Sequence, residues 1–253
     1  MSWFEHAVLA VAAALAGALN SVAGGGSFLT FPSLVFVGIA PVTANATSAV
    51  ALWPAQVASA VAYRAELAEA RKGVWAMGAV SIVGGLAGAL LLLRTPDVTF
   101  ARVIPFLMLI ASVVFTFGNR FVEKLRRRGS GVPTRAIVAL QLLVALYGGY
   151  FGGGMGVVML AAFSAMGMTN IHAMNALKTL LATLINLVAV VTFIAAGAIA
   201  WRPGLVMVVA ATASGYLGAA TARRIDPRTV RRFVLWIAWA MTAFFFFSAY
   251  RGA

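Results

Sequence analysis

Apolar residues run along this chain in long blocks, parted by short clusters of Gly, Pro and basic residues. A block of about 20 is enough for a helix to cross a hydrocarbon core roughly 30 Å thick. Reading the blocks between breakers predicts ten helical segments: 4–23, 27–40, 43–63, 73–93, 101–119, 134–151, 154–168, 172–197, 202–222 and 229–250. Two of them, 27–40 and 154–168, are too short for a comfortable crossing, and each follows a glycine cluster. They read as half-helices or re-entrant pieces. Within 43–63, Trp53 and Pro54 are expected to interrupt the helix and kink it one turn ahead of Gln56.

The order of events repeats. "GALNSVAGGGSFLTFPSLVFVGIAPVTANATSAVALWPAQVASAVAY" starts at Gly17, and "YGGYFGGGMGVVMLAAFSAMGMTNIHAMNALKTLLATLINLVAVVTF" starts at Tyr147. Gly24, Gly25 and Gly26 match Gly152, Gly153 and Gly154, while Asn45 and Ala46 match Asn175 and Ala176, and Gln56 matches Asn186. With five segments per half, an odd number, the second half enters the membrane from the opposite face. The expectation is an all-α polytopic membrane protein built as an inverted-topology repeat of two halves, 1–128 and 129–253, with Gly-broken or re-entrant helices. Secondary transporters recur on this plan, with a substrate site near the bilayer midplane at the repeat interface.

Composition agrees with the pattern. The 253 residues are 62% hydrophobic and 10% charged, against about 45–50% and about 25% in soluble domains. Blocks fill nearly the whole length, leaving no room for a separate soluble domain. Cysteine is absent, which excludes disulfides, thiolate metal sites and cysteine nucleophiles; no metal or other cofactor is expected. The net charge of +13 lies in links between apolar blocks and forms no aromatic-interleaved face, so it reads as a topology signal and not as a nucleic-acid surface. If all ten segments alternate, fourteen Lys and Arg fall on one side and four on the other. The positive-inside bias then places both termini outside the cytoplasm. The N-terminus carries Glu5 and His6 where a cleavable signal has a positive region, and is read as a mature helix.

Candidate chemistry gathers at the two breaks. A glycine triplet exposes backbone amides, and a helix starting directly after it aims its positive dipole end at the gap. Two such ends, from 27 and from 155, are expected to make an anion cradle. Lys178 is the only Lys or Arg well inside a predicted span, and no Asp or Glu lies inside any span. Burying its charge costs at least about 2.5–3.5 kcal/mol, so its natural partner is an external anion; a lysine snorkelling to the interface is the alternative. Asn175, Lys178 and Asn186 share one helical face, with Thr179 beside them, and the first half offers Asn45, Thr47, Ser48 and Gln56 at matching places. Their hydroxyl and amide donors suit a sulfonate or sulfite oxygen. Individually such residues also serve as interhelical hydrogen-bond glue. His172 opens the same helix and is a candidate proton carrier or a cap; Asn20 and Ser21, just before the first triplet, are candidate lining groups.

The segments "AGALNSVAGGGSFLTFPSLVFVGIAPVTANATS" and "YGGYFGGGMGVVMLAAFSAMGMTNIHAMNALKT" resemble the paired signature of the TauE/SafE family of bacterial and archaeal membrane permeases. The resemblance covers both halves, the central basic link and the closing "ATARRIDPRTVRR". It implies export of a small sulfur-containing anion, such as sulfite, sulfoacetate or a related organosulfonate, across a cytoplasmic membrane. Motif positions carry onto Gly24, Gly25, Gly26, Asn45, Thr47 and Ser48, and onto Gly152, Gly153, Gly154, Gly156, Asn175 and Lys178. Ser27 and Met155 stand where a further glycine is frequent. The expected partners are the anion and the lipid bilayer, not nucleic acid, with homo-oligomerisation left open. The rivals are an intramembrane serine hydrolase using Ser27 and His172, which has no acid within the membrane to orient the imidazole, and an anion channel.

Overall fold

Ser2 and Glu5 have the spacing of a capping box and act as one: Ser2 N donates to Glu5 Oε2 at 2.7 Å and Glu5 N donates to Ser2 Oγ at 3.3 Å. From this cap α1 runs over Trp3–Val22. The computed structural model describes residues 2–22, 25–62, 74–128, 134–165, 168, 170–221 and 227–250. Among them nine further helices follow and no strand: α2 (Ser27–Phe36), α3 (Pro41–Ala62), α4 (Val74–Arg94), α5 (Asp97–Arg128), α6 (Thr134–Tyr150), α7 (Met155–Ala165), α8 (Ile171–Ala195), α9 (Trp201–Thr221) and α10 (Pro227–Tyr250). The chain is an all-α polytopic membrane protein. Trp75–Arg94, Asp97–Gly118 and Ala173–Ala195 are each long and apolar enough to cross a bilayer, and the shorter apolar helices include Trp3–Ala18 and Leu235–Tyr250. Val83, Leu91, Ile110, Leu143, Val191, Val209 and Phe247 are exposed, the outer surface that lipid tails cover.

The ten helices begin and end close to the ten expected segments, with three instructive departures. Helix α2 stops at Phe36 because Gly38 takes the left-handed conformation (φ +85°), its N–H closing on Val35 O and that of Ile39 on Leu34 O, both at 3.0 Å. Helix α5 does not stop at 119 but continues through Glu123, Lys124, Arg126, Arg127 and Arg128. Those are good helix formers, so much of the expected central link is helix leaving the membrane. Its 32 residues span about 48 Å, well beyond the hydrocarbon core. Helix α3 passes through Pro54 without the expected interruption. Membrane helices tolerate proline where neighbours hold the freed backbone, and on the same turn Trp53 Nε1 donates to Thr183 O of α8 at 3.4 Å.

The packing repeats with a shift of five helices. Helix α1 packs along α9 as α6 packs along α4; α3 meets α9 as α8 meets α4; α2 touches α10 as α7 touches α5. Two pairs, α3 with α8 and α5 with α10, map onto themselves. At both, residues 130 apart in sequence touch: Asn186 Nδ2 donates to Gln56 Oε1 at 2.7 Å, Trp53 reaches the Thr183 carbonyl, and the hydroxyls of Ser112 and Thr242 lie 3.0 Å apart.

Small residues set how close the helices come. Gly84 and Gly88 of α4 face α6 while Gly85 faces Ile185 of α8; a Cβ on Gly88 would strike the Leu146 carbonyl and one on Gly149 the Gly85 carbonyl. At the equivalent seam, Gly17 of α1 lies against the Ala211 carbonyl of α9. These are the close backbone approaches that drive association where lipid removes the hydrophobic incentive. Helix α2 lies in the core: Phe31 meets Phe100, Phe151 and Phe245 with centroids 6.4, 5.8 and 5.6 Å away, and Phe28 meets Phe115 at 6.2 Å.

Candidate functional site

Two glycine-rich breaks admit the chain to the middle of the bundle. At the second, Gly152 and Gly154 have φ of +82° and +75°, which lets the backbone turn out of α6 and straight into α7. Tyr147 fastens this turn, donating from its hydroxyl to Gly153 O at 2.6 Å. At the first, Gly25 has φ +91° and Gly26 caps α2, accepting from the N–H groups of Leu29 and Thr30 at 3.0 and 3.1 Å. Gly24 lies outside the described residues, as do the side chains of Asn20, Ser21 and His172.

Between the breaks lies a cavity of about 30 Å³, room for about two ordered waters. Its walls hold the first residue of each short helix, Ser27 of α2 and Met155 of α7, together with Gly148, Gly149 and Gly152. Asn45, Ser48 and Gln56 enter from α3 and Asn186 from α8, while Leu52, Phe151 and Phe193 close the sides. Five polar side chains are thus brought together in an apolar interior, and Asn45, Ser48 and Asn186 are among its buried polar residues. A second, larger space of about 190 Å³ lies against Tyr147, Gly153 and Gly154, but its other walls are aliphatic, among them the exposed Ile110, Leu140 and Leu143. It is a lipid-side groove.

Asn45, Ser48, Gln56 and Asn186 each have a defined partner. Asn45 Nδ2 donates to Tyr150 O, at the C-terminal end of α6, at 3.0 Å. Ser48 Oγ and Thr30 Oγ1 are 2.6 Å apart, and Thr30 Oγ1 donates to Gly26 O at 3.2 Å, so α3 is tied to the break itself. Thr183 Oγ1 donates to the backbone carbonyls of Thr179 and Gln56, at 2.7 and 3.5 Å.

Not every expected site residue lines the cavity. Thr47 is fully buried on another face of α3, its Oγ1 accepting from Ala200 N at 3.0 Å and thereby holding the start of α9. Thr179 Oγ1 donates to Asn175 O at 2.8 Å. Gly153 packs against the Phe151 ring and Gly154 against Ala111. Lys178 is partly buried and absent from the cavity lining. Its Nζ donates to Asn175 Oδ1 at 3.1 Å, and its stem crosses the first turn of α7, where a Cβ on Gly156 would sit 3.1 Å from Lys178 Cδ. Lys178 is therefore one residue removed, through Gly156, from Met155 in the cavity wall. The sequence reading missed Thr30, Thr183 and the lining glycines Gly148 and Gly149. Thr183 was discoverable, since the same 130-residue offset that pairs Gln56 with Asn186 pairs it with Trp53.

Among known proteins, the family model described as "Sulfite exporter TauE/SafE" matches residues 9–245. "Probable membrane transporter protein YfcA" of Escherichia coli (strain K12) is 26% identical over 237 residues, covering 93% of this chain and 87% of the relative. A "Probable membrane transporter protein" of Haemophilus influenzae is 25% identical over 238 residues, 94% of this chain and 92% of the relative. "Probable membrane transporter protein ORF9" of Sinorhizobium sp. is 27% identical over 206 residues, 79% of this chain and 77% of the relative. No solved structure matches. These relatives carry the names of transporters, not of enzymes. The chain belongs to the TauE/SafE family and is an integral membrane transporter.

Proposed function

We propose that this transporter is a secondary exporter of a small sulfur-containing anion, sulfite or an organosulfonate, held near the midplane between the two glycine-rich breaks. The reading rests on one observation above all: the N-terminal residues of both short helices, Ser27 and Met155, line the same cavity as Asn45, Ser48, Gln56 and Asn186. Helix N-termini carry partial positive charge and orphan N–H donors. Met155 in the cavity wall adjoins Gly156, against which the Lys178 stem lies; the lysine amine meets Asn175 and no carboxylate among the described residues, and its charge favours an anion at the mouth of α7. The two halves, 1–128 and 129–253, act as inverted repeats whose relative rocking exposes the site to either side. The protein sits in a bacterial or archaeal cytoplasmic membrane with both termini outside the cytoplasm.

The test is thermal unfolding of detergent-purified protein against sulfite, thiosulfate, sulfoacetate, taurine and sulfate, with Lys178→Ala and Lys178→Met alongside. The expected result is stabilisation by at least one sulfur oxyanion, abolished in Lys178→Ala and weakened in Lys178→Met while helical circular dichroism is retained. If none of these compounds shifts the wild-type midpoint, the anion reading is wrong. Undiminished stabilisation of Lys178→Ala removes the lysine from the site.

A further inference from the structure

The cavity's hydrogen-bond directions specify more than negative charge. A helical threonine hydroxyl commonly donates to the carbonyl four residues back, and Thr30 Oγ1 lies 3.2 Å from Gly26 O; with its proton there, Ser48 is the donor across the 2.6 Å contact. Each hydroxyl has one proton. Ser48, 2% exposed, thus turns only lone pairs toward the cavity it lines. Asn45, 6% exposed, spends an N–H on Tyr150 O and keeps its Oδ1 without a donor among the described residues. In the Gln56–Asn186 pair one amide donates and the other accepts, so whichever way they are turned, one carbonyl and one amino group are left over. The walls therefore combine N–H donors and two helix N-termini with several buried acceptors. An anion bearing only acceptor oxygens, once it fills the cavity, would face those lone pairs directly, a costly arrangement.

We infer that the site selects a small oxyanion that retains one acidic O–H, the ligand's own proton pointing at Ser48 Oγ and Asn45 Oδ1 while its charged oxygens meet the helix N-termini and the free amide N–H groups. This rests on the proposed function and narrows it, favouring acid sulfite over a fully ionised organosulfonate. No ionisable side chain among the described residues lines the cavity. Tyr147 OH is engaged with Gly153 O, Tyr150 OH with Thr95 Oγ1 and Asp97 with Val42 N, and Lys178 lies along Gly156 with its amine on Asn175. Arg135 and Arg202 are exposed, and Glu5 and His6 bind Ser2 at the start of α1. Among the described residues, the titrating proton then belongs to the ligand.

The experiment measures apparent affinity from thermal shifts of the purified protein across pH with four anions: sulfite, selenite, sulfate and methanesulfonate. Selenite holds its second proton to higher pH than sulfite, sulfate has lost its own throughout, and methanesulfonate is a monoanion with no O–H. Sulfite affinity should fall as pH rises through its second ionisation, and selenite affinity should fall at the higher pH of its own. Sulfate and methanesulfonate should bind at least about fivefold more weakly than acid sulfite, the factor for one lost hydrogen bond. In Ser48→Ala the acid-to-alkaline affinity ratio for sulfite should shrink by a similar factor, while methanesulfonate should bind no more weakly than to the wild type. The wild-type comparison of sulfite with selenite decides the matter even if that variant does not fold. A shared midpoint for the two, tighter binding of the dianion, or methanesulfonate matching acid sulfite overturns the inference while leaving an anion transporter. Absence of any shift with every anion overturns the proposed function itself, and this inference with it.

Discussion

The contact between Gln56 and Asn186 joins α3 to α8, and its worth can be measured. Replacing Asn186 by Leu and Gln56 by Met, near-isosteres without hydrogen-bonding groups, gives two single variants and one double. Each single change strands the other amide beside the cavity. An unsatisfied buried polar group costs about 1–3 kcal/mol, but the cavity has room for about two waters that can take over part of the lost bonding, so about 1 kcal/mol per single variant is expected. The double variant removes both polar groups and strands neither. Hydrogen bonds between membrane helices average about 0.6 kcal/mol with an upper end near about 1.7 kcal/mol. At 2.7 Å between a buried Asn186 and a half-buried Gln56, this bond should lie above the average, with a coupling energy of about 1 kcal/mol. The assay is reversible unfolding in mixed micelles by increasing dodecyl sulfate, followed by tryptophan fluorescence, with Trp53 one turn from Gln56 as an internal reporter. Additivity within about 0.3 kcal/mol would mean that the two amides do not meet between α3 and α8.

Three further outcomes follow from the packing. Gly88→Ala drives a methyl into the Leu146 carbonyl and should cost about 1–3 kcal/mol in the same unfolding assay, whereas Gly78→Ala, with only Leu184 Cδ1 at 3.5 Å, should be neutral or slightly stabilising. Asp97→Ala removes the carboxylate that accepts from Val42 N at 2.9 Å in the first turn of α3, a loss of about 0.5–2 kcal/mol that Asp97→Asn should largely avoid. Gly152→Ala forces a side chain into φ +82° and should destabilise by about 1–2 kcal/mol; Gly152→Asn, better tolerated in that region, should cost less in the same measurement.

The sequence by itself determined the helices, because in a membrane every backbone polar group must be satisfied within its own segment and apolar runs between breakers leave no other solution. Gly25, Gly152 and Gly154 declared the two breaks for the same local reason: a left-handed turn needs glycine. The 130-residue offset paired Gln56 with Asn186, and the two amides meet in the fold. Tertiary structure alone decided which polar residues share a space. Asn45, Thr47 and Ser48 stand within one turn of α3, yet Asn45 and Ser48 line the cavity while Thr47 holds the start of α9, a division set by how α3 is rotated against its neighbours. Lys178 and Ser48 are equivalent in the repeat, but glycine at 156 offers a bed for the lysine stem, and Thr30 offers the serine a hydroxyl partner. Periodicity fixes the face of a helix; what that face meets depends on helices brought alongside from a hundred residues away.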